Sequence, residues 1–107
     1  MTEKQLQGAV IDAARLLGWR VAHFRPARVM RGGRETYETP VAADGKGFPD
    51  LVLVRPPRLI FAEMKAHSGK LSDQQMEWLS ALDHTEAEVY IWRPNDWEGG
   101  VIERKLR

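Results

Sequence analysis

Asp50, Glu63 and Lys65 are the residues of this chain whose types and spacing can do hydrolytic chemistry. Asp50 opens the run Asp-Leu-Val-Leu-Val, and Glu63 and Lys65 end the run Leu-Ile-Phe-Ala-Glu-Met-Lys. Arg55-Pro56-Pro57-Arg58 separates the two and predicts a turn between strands at 50–54 and 59–65. If that connection pairs Val54 with Leu59, counting outwards sets Asp50 opposite Glu63. Opposed residues share a face of the sheet, and the period of two adds Lys65. Two carboxylates about 4 Å apart repel by roughly 4 kcal/mol at an effective dielectric of about 20. Protonation of one acid, the Lys65 ammonium or a divalent cation would each offset this. Without a cation the group reads as a salt bridge on a solvated sheet face. With one, hard oxygen ligands suit Mg²⁺ or Mn²⁺, and the chemistry is metal-assisted phosphodiester hydrolysis. Lys65 would then position the attacking water or stabilise charge on the phosphate.

The elements that must position these groups read as one α/β domain over 1–107, in the order α-β-β-β-α-β. Leu6, Ala9, Val10, Ala13, Ala14 and Leu17 recur at helical spacing and predict a helix over 2–17, with Thr2 and Gln5 as a capping box and Gly18 as the stop. Glu3 lies close to the inward stripe of that helix, where an acid also suits the helix dipole. A short strand is expected over 19–24. Residues 25–47, rich in Arg, Gly, Pro and Thr, read as a long and mobile loop with a short strand near 35–39. A second helix is expected from about 73 to 83, capped by Ser72 and Gln75, with Met76, Trp78, Leu79 and Leu82 on its apolar face. Val89–Trp92 reads as a strand closed by Arg93-Pro94-Asn95-Asp96, and 100–106 as a last short element.

Composition excludes several classes. The chain has no cysteine, so a disulfide scaffold, a thiolate zinc site and a cysteine nucleophile are out, which suits a reducing cytoplasm. No secretory signal and no membrane span are expected. The net charge of +1 hides a segregation. Arg20, Arg25, Arg28, Arg31 and Arg34 fall in residues 20–34 without an acid among them, while 35–107 is acidic on balance. Guanidinium forks suit phosphate, although a solvated surface loop has the same composition. Asp44 and Lys46 precede the Asp50 motif and read either as polar loop residues or as DNA contacts. His23, His67 and His84 read as ordinary strand or surface residues, and Trp92 and Trp97 as packing residues. The glycine pairs do not precede a helix as a phosphate loop does, so no nucleotide cofactor is expected.

Pro49-Asp50 followed by Glu63-Met64-Lys65 resembles the Pro-Asp…(Asp/Glu)-X-Lys signature of a large nuclease superfamily. Gly47-Phe48-Pro49-Asp50, Phe61–Lys65 and Gly69-Lys70-Leu71-Ser72-Asp73-Gln74-Gln75-Met76-Glu77-Trp78-Leu79 resemble the VRR-NUC family, the virus-type replication–repair nucleases. The resemblance implies a minimal PD-(D/E)XK, restriction-endonuclease-like core with a small mixed sheet flanked by helices. It implies that Asp50, Glu63 and the Met64 carbonyl hold Mg²⁺ or Mn²⁺, and that Lys65 is the catalytic lysine. It further implies that Glu3 reaches the metal directly or through water and that Gln75 joins the site. Arg25, Arg28, Arg31, Arg34 and Lys46 are then expected to hold DNA phosphates. The function expected is structure-selective DNA cleavage in a bacterial or phage-infected cytoplasm. Small stand-alone members resemble homodimers, and a two-fold pair suits branched DNA such as a four-way junction. A non-catalytic DNA-binding domain and a component of a larger replication or restriction assembly are the alternatives.

Overall fold

The computed structural model describes residues 1–24, 27–38 and 41–107, with the side chains of 27–29, 31 and 36–38 left aside. The expectations for Arg25, Arg28 and Arg31 therefore lie outside the described residues.

Helix α1 spans Glu3–Leu16. Its start is fixed by a reciprocal cap: Gln5 N donates to Thr2 Oγ1 at 3.1 Å, and Thr2 N donates to Gln5 Oε1 at 2.8 Å. Gly18 ends it in the left-handed region, at φ +87°. Leu6, Val10 and Ala14, four residues apart, form its fully buried stripe.

The chain then enters β1 (Arg20–His23), and after the hairpin described below it returns as β4 (Leu51–Arg55) and β5 (Arg58–Met64). The strand β6 (Glu88–Trp92) completes a four-stranded sheet in the order β1-β4-β5-β6. The first two pairings are antiparallel and β5–β6 is parallel, so the sheet is mixed. A parallel pair needs a crossover, which α2 (Asp73–Asp83) supplies. Alternation along the central strands sorts the two faces. Leu51, Leu53, Ile60, Ala62 and Met64 are fully buried in one core with α1 and Trp92. Val52, Phe61 and Glu63 point to the opposite face, where α2 packs.

Three features differ from the sequence expectation. The arginine-rich stretch is not only loop: β2 (Ala27–Arg31) and β3 (Arg34–Glu38) pair as an antiparallel hairpin and a separate two-stranded sheet. Its turn is Gly32-Gly33, with φ +56° and +77°, a pair of left-handed residues that glycine tolerates and that follows the strand twist. Arg93-Pro94-Asn95-Asp96 does not merely close β6. Pro94 opens helix α3 (Pro94–Glu98), where its missing N–H is no loss, and Asp96 caps the Arg93 N–H at 2.8 Å. Met76 is 47% exposed, because Gln75, Trp78, Leu79 and Leu82 form the inward stripe of α2.

The chain ends in α4 (Val101–Leu106), whose Ile102 and Leu106 close the core. The turn end of the sheet is bound to this helix. Trp19 Nε1 and Arg55 Nη1 both donate to Leu106 O, at 2.8 and 3.0 Å, and Arg58 Nη2 donates to Lys105 O at 2.7 Å. No helix among the described residues is long and apolar enough to cross a membrane.

Candidate active site

The register of β4 and β5 decides which side chains meet. Val54 pairs with Leu59 and Leu51 with Ala62, as the Pro56-Pro57 turn requires. One step beyond the last pair, Asp50 and Glu63 stand on the same face. The ladder stops there because Asp50 has turned its groups to other uses. Its carbonyl accepts the Phe24 N–H at 3.0 Å, continuing the β1 edge. Its Oδ2 accepts the Met64 N–H at 2.9 Å, in place of a main-chain acceptor.

The approach to Asp50 is wedged against α2. Gly47 has φ +85°, and a Cβ there would fall 2.5 Å from the Gln74 carbonyl carbon, so only glycine passes. Phe48 sits edge-on to Phe24, Phe61 and Trp78, with ring centroids 5.2, 6.0 and 5.0 Å away. Trp78 Nε1 donates to Asp44 O at 2.9 Å and holds the start of the loop. Pro49 is fully buried.

Glu63 is 1% exposed and is the one buried charged side chain among the described residues. Its neighbours do not neutralise it. Burial first, then its hydrogen bond with and the negative charge of Asp50, push its carboxyl up to about 9. The charge of Lys65 pulls the other way, and that of Glu3 adds to the rise. Gln75 is the direct support: its Nε2 donates to Glu63 Oε1 at 3.1 Å. The same amide accepts the Ser72 N–H through Oε1 at 2.9 Å. The capping box and the contact with Glu63 are thus made by the two ends of one side chain.

Lys65 follows β5 directly and keeps strand pairing, its N–H donating to Trp92 O at 3.0 Å. Asp50, Glu63, Lys65, Met64 and Gln75 are therefore brought together at one end of the sheet. Glu3 is exposed on the first turn of α1, and from there its negative charge acts on the Glu63 carboxyl. Among the described residues no three His, Asp or Glu side chains form a ready metal cage. Arg34, at the turn of the hairpin, and Lys46, beside the Asp44–Trp78 contact, are exposed. Phe48 and Arg93 support the site without having been assigned a part in it from sequence. For Phe48 the signal was an aromatic within a Gly-Phe-Pro-Asp turn. For Arg93 there was none, because its partners are main-chain carbonyls.

The donor set fits a small hard cation. Two carboxylates meet at one end of the sheet, and one of them is buried with its pKa raised by burial first and by Asp50 second, an arrangement of oxygen donors that suits a divalent ion. No curated protein and no solved structure matches the chain. The family model described as the VRR-NUC domain matches residues 14–95, a span that holds Asp50, Glu63, Lys65 and Gln75 and leaves Glu3 outside. The chain belongs to the VRR-NUC family of nuclease domains.

Proposed function

We propose that this protein is a divalent-metal-dependent DNA endonuclease whose site is Asp50, Glu63 and Lys65. The observation that carries the reading is the buried Glu63 carboxyl facing Asp50 with a lysine next along the strand. Asp50 and Glu63 would hold Mg²⁺ or Mn²⁺, with the Met64 carbonyl as a third oxygen and Glu3 joining through water. Bound there, the ion supplies a polarised phosphate and a water of lowered pKa. The Lys65 ammonium orients the attacking water and stabilises negative charge gathering on the phosphate oxygens. Gln75 keeps Glu63 aimed by fixing one of its oxygens, as outer partners of metal ligands do.

Arg34 and Lys46, exposed and cationic, are suited to phosphate contact, as are Arg25, Arg28 and Arg31 by type. Among the described residues the element order offers no recognition helix for a major groove, so selection by DNA shape is favoured over base readout. Four-way junctions cut by a homodimer are the preferred case, since two sites related by two-fold symmetry suit a symmetric branch.

The test is cleavage of labelled four-way junctions, flaps, forks and linear duplex in Mg²⁺ or Mn²⁺ at matched salt, by wild type and Asp50→Asn. Matched salt is essential because phosphate-driven affinity falls steeply with it. Cutting by wild type alone supports the reading. Binding without cutting at any metal concentration indicates a non-catalytic DNA-binding domain instead.

A further inference from the structure

Lys65 leads out of β5 into the turn Ala66–Gly69, exposed at His67 and Ser68, which makes one main-chain bond of its own, Gly69 N to Ala66 O at 3.1 Å. A lysine that must hold a water or a phosphate oxygen needs a fixed stem, and such a turn does not supply one. The missing rigidity comes from the neighbouring strand. Arg93, the first residue after β6, sends its Nη1 into the turn, where it donates to Ala66 O at 2.7 Å and Gly69 O at 2.8 Å. A longer contact reaches His67 O at 3.4 Å. The turn so held lies against the lysine itself: the Cβ position of Gly69 is 3.5 Å from Lys65 Cδ. Both ends of the clamp are anchored. The Lys65 N–H is bonded to Trp92 O, the residue before Arg93, and the Arg93 N–H is bonded to Asp96.

We propose that Arg93 is a positioning residue for Lys65. It folds the 66–69 turn against the lysine stem and so sets where the ammonium stands relative to the Asp50–Glu63 pair. The inference rests on the nuclease reading for its catalytic consequence, and on the geometry alone for its structural one. It separates two kinds of damage. Asp50, Glu63 and Met64 are held by sheet pairing and by Gln75 of α2, whereas the hydrogen bonds of the Arg93 side chain go to carbonyls of the 66–69 turn. Loss of its side chain therefore leaves metal affinity in place and lowers the rate of the chemical step by about 10- to 100-fold.

The experiment combines single-turnover cleavage of a labelled four-way junction in Mn²⁺ with lysine-selective ¹³C NMR of the metal-free protein. Wild type, Arg93→Ala, Arg93→Lys, Lys65→Ala and the Lys65→Ala/Arg93→Ala double variant are compared. The expected result is a 10- to 100-fold slower step for Arg93→Ala at unchanged Mn²⁺ affinity, partial recovery in Arg93→Lys, and no further loss when Arg93→Ala is added to Lys65→Ala. In the NMR spectra the Lys65 side-chain signal shifts and narrows in Arg93→Ala, while those of Lys4 and Lys105 stay. Additive losses in the double variant, or an Arg93→Ala protein cutting as wild type beside an impaired Lys65→Ala, overturn the proposal. Should Arg93→Ala not fold, Arg93→Lys carries the same comparison. Should wild type not cut, or Lys65→Ala cut normally, the nuclease reading fails. The Lys65 signal then still decides the positioning claim, and an unmoved signal rejects it.

Discussion

Arg58 and Glu63 occupy the two ends of β5, and the chain treats their charges in opposite ways. Arg58 meets Glu88 of β6 in a two-point fork, Nε to Oε2 and Nη2 to Oε1, both at 2.7 Å. Tyr90 donates a third bond to Glu88 Oε1 at 2.7 Å, and Trp19 lies under the guanidinium at 4.8 Å. Arg58 and Glu88 neutralise each other there, while Arg55, across from Arg58, donates to the Leu17 and Leu106 carbonyls over the Trp19 ring. The Arg58 hydrogen bond holds the Glu88 carboxyl below its usual range, while burial and then Glu88 push the Tyr90 hydroxyl up to about 12. At the other end Glu63 is more deeply buried, yet its nearest charged neighbour is another carboxylate. One end gives its acid a bidentate cation and ties the C-terminal helix to the sheet. The other sets a buried carboxyl against a second carboxylate, with the Lys65 charge in opposition. On the proposed function, that contrast separates the structural end from the site.

The largest difference is expected in activity. Asp50→Asn or Glu63→Gln abolishes cleavage in any divalent metal, while Glu88→Gln leaves it near wild type, as measured on the same branched substrate. Lys65→Ala loses about 10²- to 10³-fold, the usual effect of removing one preorganised electrostatic stabiliser. Gln75→Ala loses about 10- to 100-fold, because Glu63 keeps its place but not its orientation.

Stability is expected to move with opposite signs at the two ends. Glu63 has a folded pKa of about 9 against an ordinary 4.5. Its contribution is complete below the lower value and is lost as pH rises towards the higher one. Thermal unfolding in chelator should therefore show metal-free wild type weakening between about pH 5 and pH 9, and Glu63→Gln removing that slope. Added Mg²⁺ stabilises wild type but not the variant. Glu88 has a lowered folded pKa, so its contribution is present above the ordinary value and is lost as pH falls. Glu88→Gln should destabilise by about 1.5–3 kcal/mol at neutral pH, the range for hydrogen bonds to a charged group, and by less in acid. A metal-free wild type equally stable at both pH values would remove the contrast between the ends.

The smallest effect separates the two duties of Gln75. Ser72→Ala removes the hydroxyl cap of α2 but leaves the Gln75 amide bonded to the Ser72 N–H and to Glu63. It should lower stability by about 1 kcal/mol and leave cleavage unchanged.

What was legible in the sequence follows from which signals are local. Two apolar runs around Pro56-Pro57 suggested the register once Val54 was taken to pair with Leu59, and the observed pairing of those two residues sets Asp50 against Glu63. Thr2–Gln5 and Ser72–Gln75 announced the starts of α1 and α2 to within a residue or so. The hairpin was harder, because its strands are rich in arginine and polar residues and lack the alternation of a half-buried strand. Gly32-Gly33 was its one strong mark. Pro94 reads as a breaker when helix α3 is not suspected and as an N1 residue when it is. Met76 and Gln75 exchange places on the inward stripe because Glu63 offers a polar partner at the sheet end, and no periodicity of apolar residues reports that. Arg93 lay beyond reach for a related reason: its partners are main-chain carbonyls of another segment, which carry no sequence signal.

The central claim is that the unbalanced carboxylates are a metal site for phosphodiester hydrolysis. It is tested most directly by titrating Mn²⁺ into wild type and Asp50→Asn while following ion binding calorimetrically and junction cleavage in the same buffer. Wild type should bind the ion and cut with the same concentration dependence, and a folded Asp50→Asn should do neither. Cleavage by Asp50→Asn at the wild-type rate, or wild-type cleavage that persists in chelator, would contradict it.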